Sequence, residues 1–257
     1  MLAHIEWAGR TVRVEYEWAG AQAGPVLVFL HEGLGSLSMW RDFPARLASA
    51  LGMRALVYSR PGYGKSTPRA ADERWGVDFM HRQAHEVLPA VLDAAGVGDA
   101  PIWTYGHSDG GSIALLYAAR FPGRVAGLIV AAPHVFVEDV AITSIERART
   151  AYRDADLRDK LSRHHDNPDS AFWGWNDIWL DDAFRSWTIE REIASISCPV
   201  LALQGVDDEY GTMEQIRRIG HAVPRAELIE IEHCGHSPHR DQPDAVIRAS
   251  VRFAGSR

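Results

Sequence analysis

The sequence has 257 residues, of which 46% are hydrophobic and 24% charged, and its formal net charge is −7. This composition is typical of soluble globular proteins, and the length suits one large α/β domain. Because the net charge is negative and no basic stripe occurs, we expect no nucleic-acid partner.

Cysteine content and hydropathy indicate the compartment. Two cysteines, Cys198 and Cys234, do not suggest a disulfide framework, which fits a reducing compartment. The first seven residues contain an acidic residue and lack the apolar core of a signal peptide. The apolar runs at 26–30 and 128–132 are too short to span a bilayer. We therefore expect a cytoplasmic protein with no membrane partner; the oligomeric state stays open, a homodimer included.

The hydrophobic pattern predicts two kinds of strand. Residues 11–18 alternate between apolar and polar, as a half-exposed strand does, and with residues 5–7 they predict an antiparallel hairpin. Five later runs are short and almost continuously apolar: 26–30, 55–58, 102–105, 127–130 and 200–203. Such runs are typical of strands covered on both faces, as in a parallel sheet flanked by helices.

Helical patterns lie between these runs, at 40–51, 78–95, 112–121 and 244–253. For the first helix, Ser38 is the predicted N-cap and Gly52 the predicted stop. Pro89 must kink or interrupt the second. The regular alternation of strand and helix predicts the α/β class.

One stretch interrupts the alternation. Residues 133–196 contain polar helical segments and an aromatic cluster, namely Phe172, Trp173, Trp175, Trp179, Phe184 and Trp187. We interpret this stretch as a helical lid inserted into a core made of residues 1–132 and 197–257. Its tryptophans either fix the lid to the core or line a pocket, and the two roles are compatible.

The motif that carries chemistry is Gly106-His107-Ser108-Asp109-Gly110, which follows a buried strand and opens a helix. A nucleophile on a sharp strand-to-helix turn needs small neighbours, which Gly106 and Gly110 supply. The helix N-terminus offers free N–H groups to developing negative charge. In this context the motif predicts Ser108 as a nucleophile.

Here the chain resembles the α/β-hydrolase superfamily, in particular its lidded esterase, lactonase and carbon–carbon hydrolase branches. The resemblance implies a mostly parallel eight-stranded sheet with the N-terminal antiparallel hairpin, helices on both faces and a helical lid. It also implies an oxyanion hole formed by the backbone N–H groups of Gly33 and Asp109. Candidate pocket residues are Leu34, His107, Trp173, Trp175 and Trp179.

The catalytic acid is expected after the strand at 200–203, in Gln204-Gly205-Val206-Asp207-Asp208-Glu209. In the similar family turn the acid lies three residues after the glycine, which selects Asp208. Asp207 is the main alternative, and Glu209 a weaker one. A carboxylate at this place would hold the imidazole in the right tautomer.

The base is expected last in chain order, and His236 follows a glycine in a loop that looks like the family's histidine loop. His233 and His239 are the alternatives. The spacing of these three histidines invites a zinc hypothesis, but no carboxylate falls in the ligand spacing. With no nucleotide or phosphate motif present, we expect neither a metal nor a cofactor.

These residues predict a serine hydrolase that acts on a small-molecule substrate, a carboxylic ester with a hydrophobic acyl group. Lactone opening, carbon–carbon cleavage and cleavage at an amino-terminal residue would use the same three groups. Aspartate-nucleophile chemistry is disfavoured because Ser108 occupies the nucleophile position. A non-catalytic binder that reuses the fold is the alternative of another class.

Two acids beside the predicted oxyanion hole depart from the family pattern. Glu32 stands where most relatives have glycine, and Asp109 where many have a neutral residue. Either they are paired structurally, with Arg60 as a candidate cation, or they bias the pocket against anionic substrates.

Overall fold

The computed structural model describes residues 1–255. Within them, eight strands form one sheet in the order β1-β2-β4-β3-β5-β6-β7-β8. The strands are β1 Leu2–Trp7, β2 Arg10–Gly20, β3 Val26–Leu30, β4 Arg54–Tyr58, β5 Ile102–His107, β6 Val125–Ala131, β7 Val200–Gly205 and β8 Glu227–Ile231. The β1–β2 and β2–β4 pairs are antiparallel, and all other pairs are parallel. The predicted hairpin and mostly parallel eight-stranded sheet are confirmed.

The central strands are covered on both faces, as their continuous apolar runs predicted. In β3, Val28 and Leu30 point into one apolar core. Leu27 and Phe29 point into a second core on the opposite face. Since successive side chains of a strand alternate between faces, an unbroken apolar run fits a strand with helices on both sides.

Helices flank the sheet: α1 Phe43–Leu51, α2 Phe79–Arg82, α3 Leu88–Ala94, α4 Asp109–Arg120, α5 Asp139–Asp154, α6 Leu157–Ser162, α7 Pro168–Trp179, α8 Glu190–Ile193, α9 Glu214–Ala222, α10 Pro238–Asp241 and α11 Pro243–Gly255. Between α2 and α3 the chain stays helical through a π-helical turn at Gln83–Val87. Proline in a helix removes one hydrogen bond and crowds the preceding turn. The π-helical turn lies directly before the first turn of α3, which contains Pro89, so the irregularity occurs in the part of the helix that this proline was predicted to disturb.

The start of α1 differs from the prediction. Ser38 is not its N-cap but lies inside a separate 3-10 turn, Leu37–Trp40. The chain then passes through Arg41 with a φ of 54°, which breaks the helical path before α1 begins. The predicted stop is confirmed, because Gly52 ends α1 with a φ of 66° in the left-handed region.

The connection from β6 to β7 holds α5 to α8 and a 3-10 turn, Asp182–Ser186. Helices α5, α6 and α7 pack on one another, whereas α8 packs against α4 and α9 of the sheet layer. Helix α7 carries four residues of the aromatic cluster, Phe172, Trp173, Trp175 and Trp179, and Trp175 contacts Gly33 in the loop after β3. No helix within residues 1–255 combines the length and apolar character needed to cross a membrane.

Candidate active site

Ser108 lies on a strained turn between β5 and α4. Its backbone has a φ of 52° and a ψ of −122°, a conformation that non-glycine residues adopt at a cost of about 1–3 kcal/mol. A Cβ at Gly106 would collide with the backbone of Gly110, and one at Gly110 with the carbonyl of Leu30. The two glycines thus let the turn close tightly and raise the serine hydroxyl at the sheet edge.

The structure brings together the three side chains predicted from distant parts of the chain. His236 Nε2 lies 2.9 Å from Ser108 Oγ. On the other side of the ring, His236 Nδ1 lies 2.9 and 3.0 Å from the two carboxylate oxygens of Asp208. Because a carboxylate can only accept, Nδ1 carries the proton and Nε2 is left as the acceptor for the serine hydroxyl.

Asp208 is held by donors from its own turn. Its Oδ1 accepts hydrogen bonds from the backbone N–H groups of Tyr210 and Gly211 at 2.8 and 3.2 Å. Its Oδ2 accepts from Gln204 Nε2 at 2.7 Å. Burial by itself would raise the pKa of Asp208, but the charge of His236 and the hydrogen bonds from His236 and the Tyr210 backbone hold that pKa below its ordinary value. The carboxylate therefore stays ionised beside the imidazole.

The two alternative acids lie elsewhere. Asp207 is exposed to solvent. Glu209 accepts a hydrogen bond from the backbone N–H of His236 at 3.1 Å, so it contacts the histidine loop and not the ring. Of the three acids considered, Asp208 is the one within hydrogen-bond distance of the imidazole.

The imidazole of His236 is tuned towards greater basicity. Burial alone would lower its pKa, but the neighbouring carboxylate of Asp208 outweighs burial and raises that pKa above its ordinary value. The alternative histidines do not share this place: His233 is exposed, and His239 is buried with its ring 4.7 Å from that of Trp40.

Gly33 and Asp109 both line the cavity in front of Ser108. Asp109 is the first residue of α4, so its backbone N–H has no acceptor within the helix. Gly33 lies in the loop after β3, and its N–H makes no backbone hydrogen bond within residues 1–255. The Trp175 indole packs so closely on Gly33 that a Cβ there would collide with it.

The cavity has a volume of about 170 Å³. Four of the five predicted pocket residues line it: Leu34, His107, Trp175 and Trp179. Trp173 does not line this cavity, which corrects its prediction as a pocket residue. Positions 175 and 179 are four residues apart and share one face of α7, whereas position 173 is rotated by about 200° from 175. The Trp173 ring packs against Tyr152 and Phe172 and lies under the guanidinium of Arg153.

Sequence reasoning missed other residues that line the cavity: His134, Ile145, Tyr210 and Ser237. The ring of Tyr210 lies 4.7 Å from that of His236. His134 is 3% exposed, and burial lowers its pKa to about 3, which makes it a neutral polar group in the wall. His134 comes four residues after the predicted parallel strand at 127–130, and side chains at the carboxyl ends of such strands gather at one sheet edge. This position was the signal in the sequence that could have identified His134.

The two unexpected acids have different surroundings. Asp109 is fully buried and accepts a hydrogen bond from Trp179 Nε1 at 3.2 Å, with Arg60 Nη2 4.0 Å away. Burial raises the pKa of Asp109 to about 6 against the opposing pull of Arg60. Glu32 instead faces His107, whose Nδ1 lies 3.5 Å from its Oε2. Arg60 binds the backbone oxygen of Glu32, not its carboxylate.

This chain is similar in sequence to known proteins. The chain is 29% identical to monoglyceride lipase of Homo sapiens over 133 residues, 50% of this chain and 42% of the lipase. The matched segment thus spans less than half of that relative. It is 26% identical to 2-hydroxy-6-oxononadienedioate/2-hydroxy-6-oxononatrienedioate hydrolase of Burkholderia vietnamiensis over 274 aligned positions, 95% of this chain and 92% of the relative.

The fold is shared with solved structures. A thermophilic esterase from Thermogutta terrifontis superposes with a TM-score of 0.76 at 19% identity, covering 100% of this chain and 98% of that one. The family model described as the alpha/beta hydrolase family matches residues 27–249. That range holds the turn of Ser108 and both loops that carry Asp208 and His236. The chain belongs to the alpha/beta hydrolase family.

Proposed function

We propose that this protein is a serine hydrolase that cleaves a small carboxylic ester with a hydrophobic acyl group, by way of an acyl-Ser108 intermediate. The observation that supports it most strongly is the position of the His236 ring, which contacts the Ser108 hydroxyl and the Asp208 carboxylate at once. This arrangement is that of a nucleophile, a general base and the acid that orients the base.

In the first half-reaction, Ser108 Oγ attacks the ester carbonyl carbon while His236 Nε2 takes the serine proton. The carbonyl oxygen becomes an oxyanion, for which the backbone N–H groups of Gly33 and Asp109 are the proposed donors. Each such donor stabilises the transition state by roughly 3 kcal/mol. The carbon–oxygen bond then breaks, and Nε2–H gives its proton to the leaving alcohol.

In the second half-reaction, water takes the place of the alcohol. His236 Nε2 accepts a proton from the water as its oxygen attacks the acyl carbon, and the same two N–H groups bind the oxyanion again. The ester bond to Ser108 breaks, and Oγ recovers its proton from Nε2. Asp208 stays ionised throughout and stabilises the imidazolium that forms in each half-reaction.

The acyl group is proposed to lie against the helical insertion. Trp175, Trp179 and Ile145 face the cavity from α5 and α7, and aromatic walls favour an apolar group. We therefore propose that residues 133–196 act as a lid over the site. The two relatives aligned above are named as a lipase and a hydrolase. These names support hydrolysis but do not identify the bond that this chain would cleave.

A 4-nitrophenyl ester series tests the proposal, with acyl chains of two to eight carbons. We expect Ser108→Ala to fold as the wild type does and to lose at least about 10³-fold in kcat/KM. Ser49→Ala is the matched control, because Ser49 is exposed on α1. Unchanged hydrolysis by Ser108→Ala would refute the nucleophile. Failure of the wild type on esters, lactones and amides alike would favour a non-catalytic binder.

A further inference from the structure

A carboxylate stands in the cavity wall, paired only at long distance with a histidine. Glu32 directly precedes Gly33, lines the cavity, and its side chain is 17% exposed. Its nearest polar partner is His107 Nδ1 at 3.5 Å, beyond good hydrogen-bond length. Neither carboxylate oxygen accepts a hydrogen bond from any group in residues 1–255 by ordinary criteria.

In the wall, His107 is the residue that pairs with this carboxylate, at the long distance of 3.5 Å. The cavity residues within the described chain include the acids Glu32, Asp109 and Glu209 but neither lysine nor arginine. The nearby guanidinium of Arg60 is directed to the backbone oxygen of Glu32 at 2.8 Å. Although burial by itself would raise it, the pKa of Glu32 lies well below its usual range because of the contact with His107 and the charges of nearby histidines. Glu32 is therefore an anion.

An anion at this place opposes the reaction unless something compensates. Gly33, the proposed oxyanion donor, directly follows Glu32 in the chain and lines the same cavity, and two nearby negative charges repel each other in a partly desolvated site. A positive group on the substrate would remove the repulsion and supply the donors that the carboxylate lacks. The aromatic rings of Trp175 and Tyr210 line the same wall, and aromatic rings also favour a cation.

We propose that the substrate carries an ammonium group close to the scissile carbonyl, as an α-amino ester does, and that Glu32 binds this group. The inference rests on the proposed function of Ser108. Under this proposal Glu32 determines specificity. The ammonium offsets the negative charge of Glu32 beside the proposed oxyanion hole, so a neutral or anionic analogue reacts more slowly. His134 lines the same wall but is neutral, so it does not repel the positive charge of the ligand.

Three esters of the same shape provide the test. They are phenylalanine methyl ester, methyl 3-phenylpropanoate, which has hydrogen in place of the ammonium, and monomethyl benzylmalonate, which has a carboxylate there. Each kcat/KM, measured at pH 6.5 by proton release, is divided by the hydroxide-catalysed rate constant of the same ester to remove intrinsic reactivity. We expect the ammonium ester to exceed the neutral ester by about tenfold or more, because hydrogen bonds between charged groups are strong. The malonate should be the slowest.

Glu32→Gln keeps the shape of the side chain and removes its charge. We expect this variant to lose most of the preference for the ammonium ester over the neutral one. Glu232→Gln is the matched control, because Glu232 is exposed in the histidine loop and does not line the cavity; it should keep the preference. An equal loss on all three esters in Glu32→Gln would mean that Glu32 only supports His107, and would overturn the proposal.

A second measurement tests ammonium binding by Glu32 separately from the proposed nucleophilic role of Ser108. Labelling of Ser108 by a fluorophosphonate is followed in the presence of phenylalanine amide or 3-phenylpropanamide. We expect the ammonium-bearing amide to protect at a concentration about tenfold lower, in the wild type but not in Glu32→Gln. Equal protection by both amides, with Ser108 still labelled, would overturn the ammonium site alone. Absence of labelling and of hydrolysis would overturn both proposals.

Discussion

His107 Nε2 lies 2.6 Å from the backbone oxygen of His236. Since a carbonyl oxygen can only accept, Nε2–H of His107 is the donor. The residue before Ser108 thus holds the loop that carries the proposed base, and its buried side chain links the turn of Ser108 to the histidine loop. This hydrogen bond contributes to placing the imidazole 2.9 Å from Ser108 Oγ.

We expect His107→Phe, which keeps a ring but loses the donor, to lower kcat by about 10- to 100-fold, because small misplacements of reacting groups cost that much. KM should change less than kcat, since the lost hydrogen bond is the one that positions the His236 loop. His107→Gln retains a donor and should recover part of the loss. Steady-state kinetics on one ester measures both constants. A wild-type kcat in His107→Phe would contradict a positioning role.

Asp208→Asn tests the acid. The variant keeps the size of the side chain, but the amide can donate to Nδ1 and so favours the wrong tautomer. We expect kcat to fall by about 10⁴-fold, as in other triads. Asp207→Asn, an exposed neighbour in the same turn, is the matched control and should stay within about twofold of the wild type. The reverse ranking would assign the acid to Asp207.

The acid limb of the pH profile should report His236. The imidazole must be neutral to take a proton, so kcat/KM rises with pH through the pKa of the free enzyme. Because the Asp208 carboxylate raises the pKa of His236 above 6.5, we expect the midpoint above pH 6.5. In Asp208→Asn the residual activity should have its midpoint at lower pH, since the charge that raises this pKa is gone. A midpoint that does not move would contradict the coupling.

Asp109→Asn should change stability in a pH-dependent way. Burial raises the pKa of Asp109 to about 6 in the folded protein, against 3.8 as the ordinary value. The folded state therefore binds this proton more tightly, and the carboxyl destabilises the fold increasingly as the pH rises from about 4 to about 6. We expect Asp109→Asn to be more stable than wild type at pH 8, by up to about 3 kcal/mol, and equal to it at pH 4. Urea unfolding at both pH values measures this difference, and a difference that does not depend on pH would contradict the buried-carboxyl explanation.

The sheet and the tight turn at Ser108 were predictable from local pattern. Continuous apolar runs indicate strands covered on both sides, and two glycines around Ser108 indicate a tight strand-to-helix turn. The choice of Trp173 failed because helical rotation was not applied to the aromatic cluster, although the spacing of Trp175 and Trp179 contains that information. Ser38 failed because a helix start depends on the backbone path at Arg41, which residue preferences do not reveal.

Other features depend on tertiary contacts. Nothing near Tyr210 in the sequence indicates that its ring lies against His236, because the contact joins two loops brought together by β7 and β8. The different surroundings of Glu32 and Asp109 likewise depend on side chains distant in the sequence, namely His107 for Glu32 and Trp179 for Asp109. Sequence reasoning identified both acids as unusual, and the structure gives each a different partner.

Mass spectrometry of the protein after treatment with a fluorophosphonate tests the central claim most directly, since that reagent reacts with an activated serine hydroxyl. We expect one adduct per chain, located on the peptide that contains Ser108, and labelling slowed by at least about 10³-fold in His236→Ala. An adduct on another residue, or a folded wild-type protein that does not react, would contradict a nucleophilic Ser108 activated by His236.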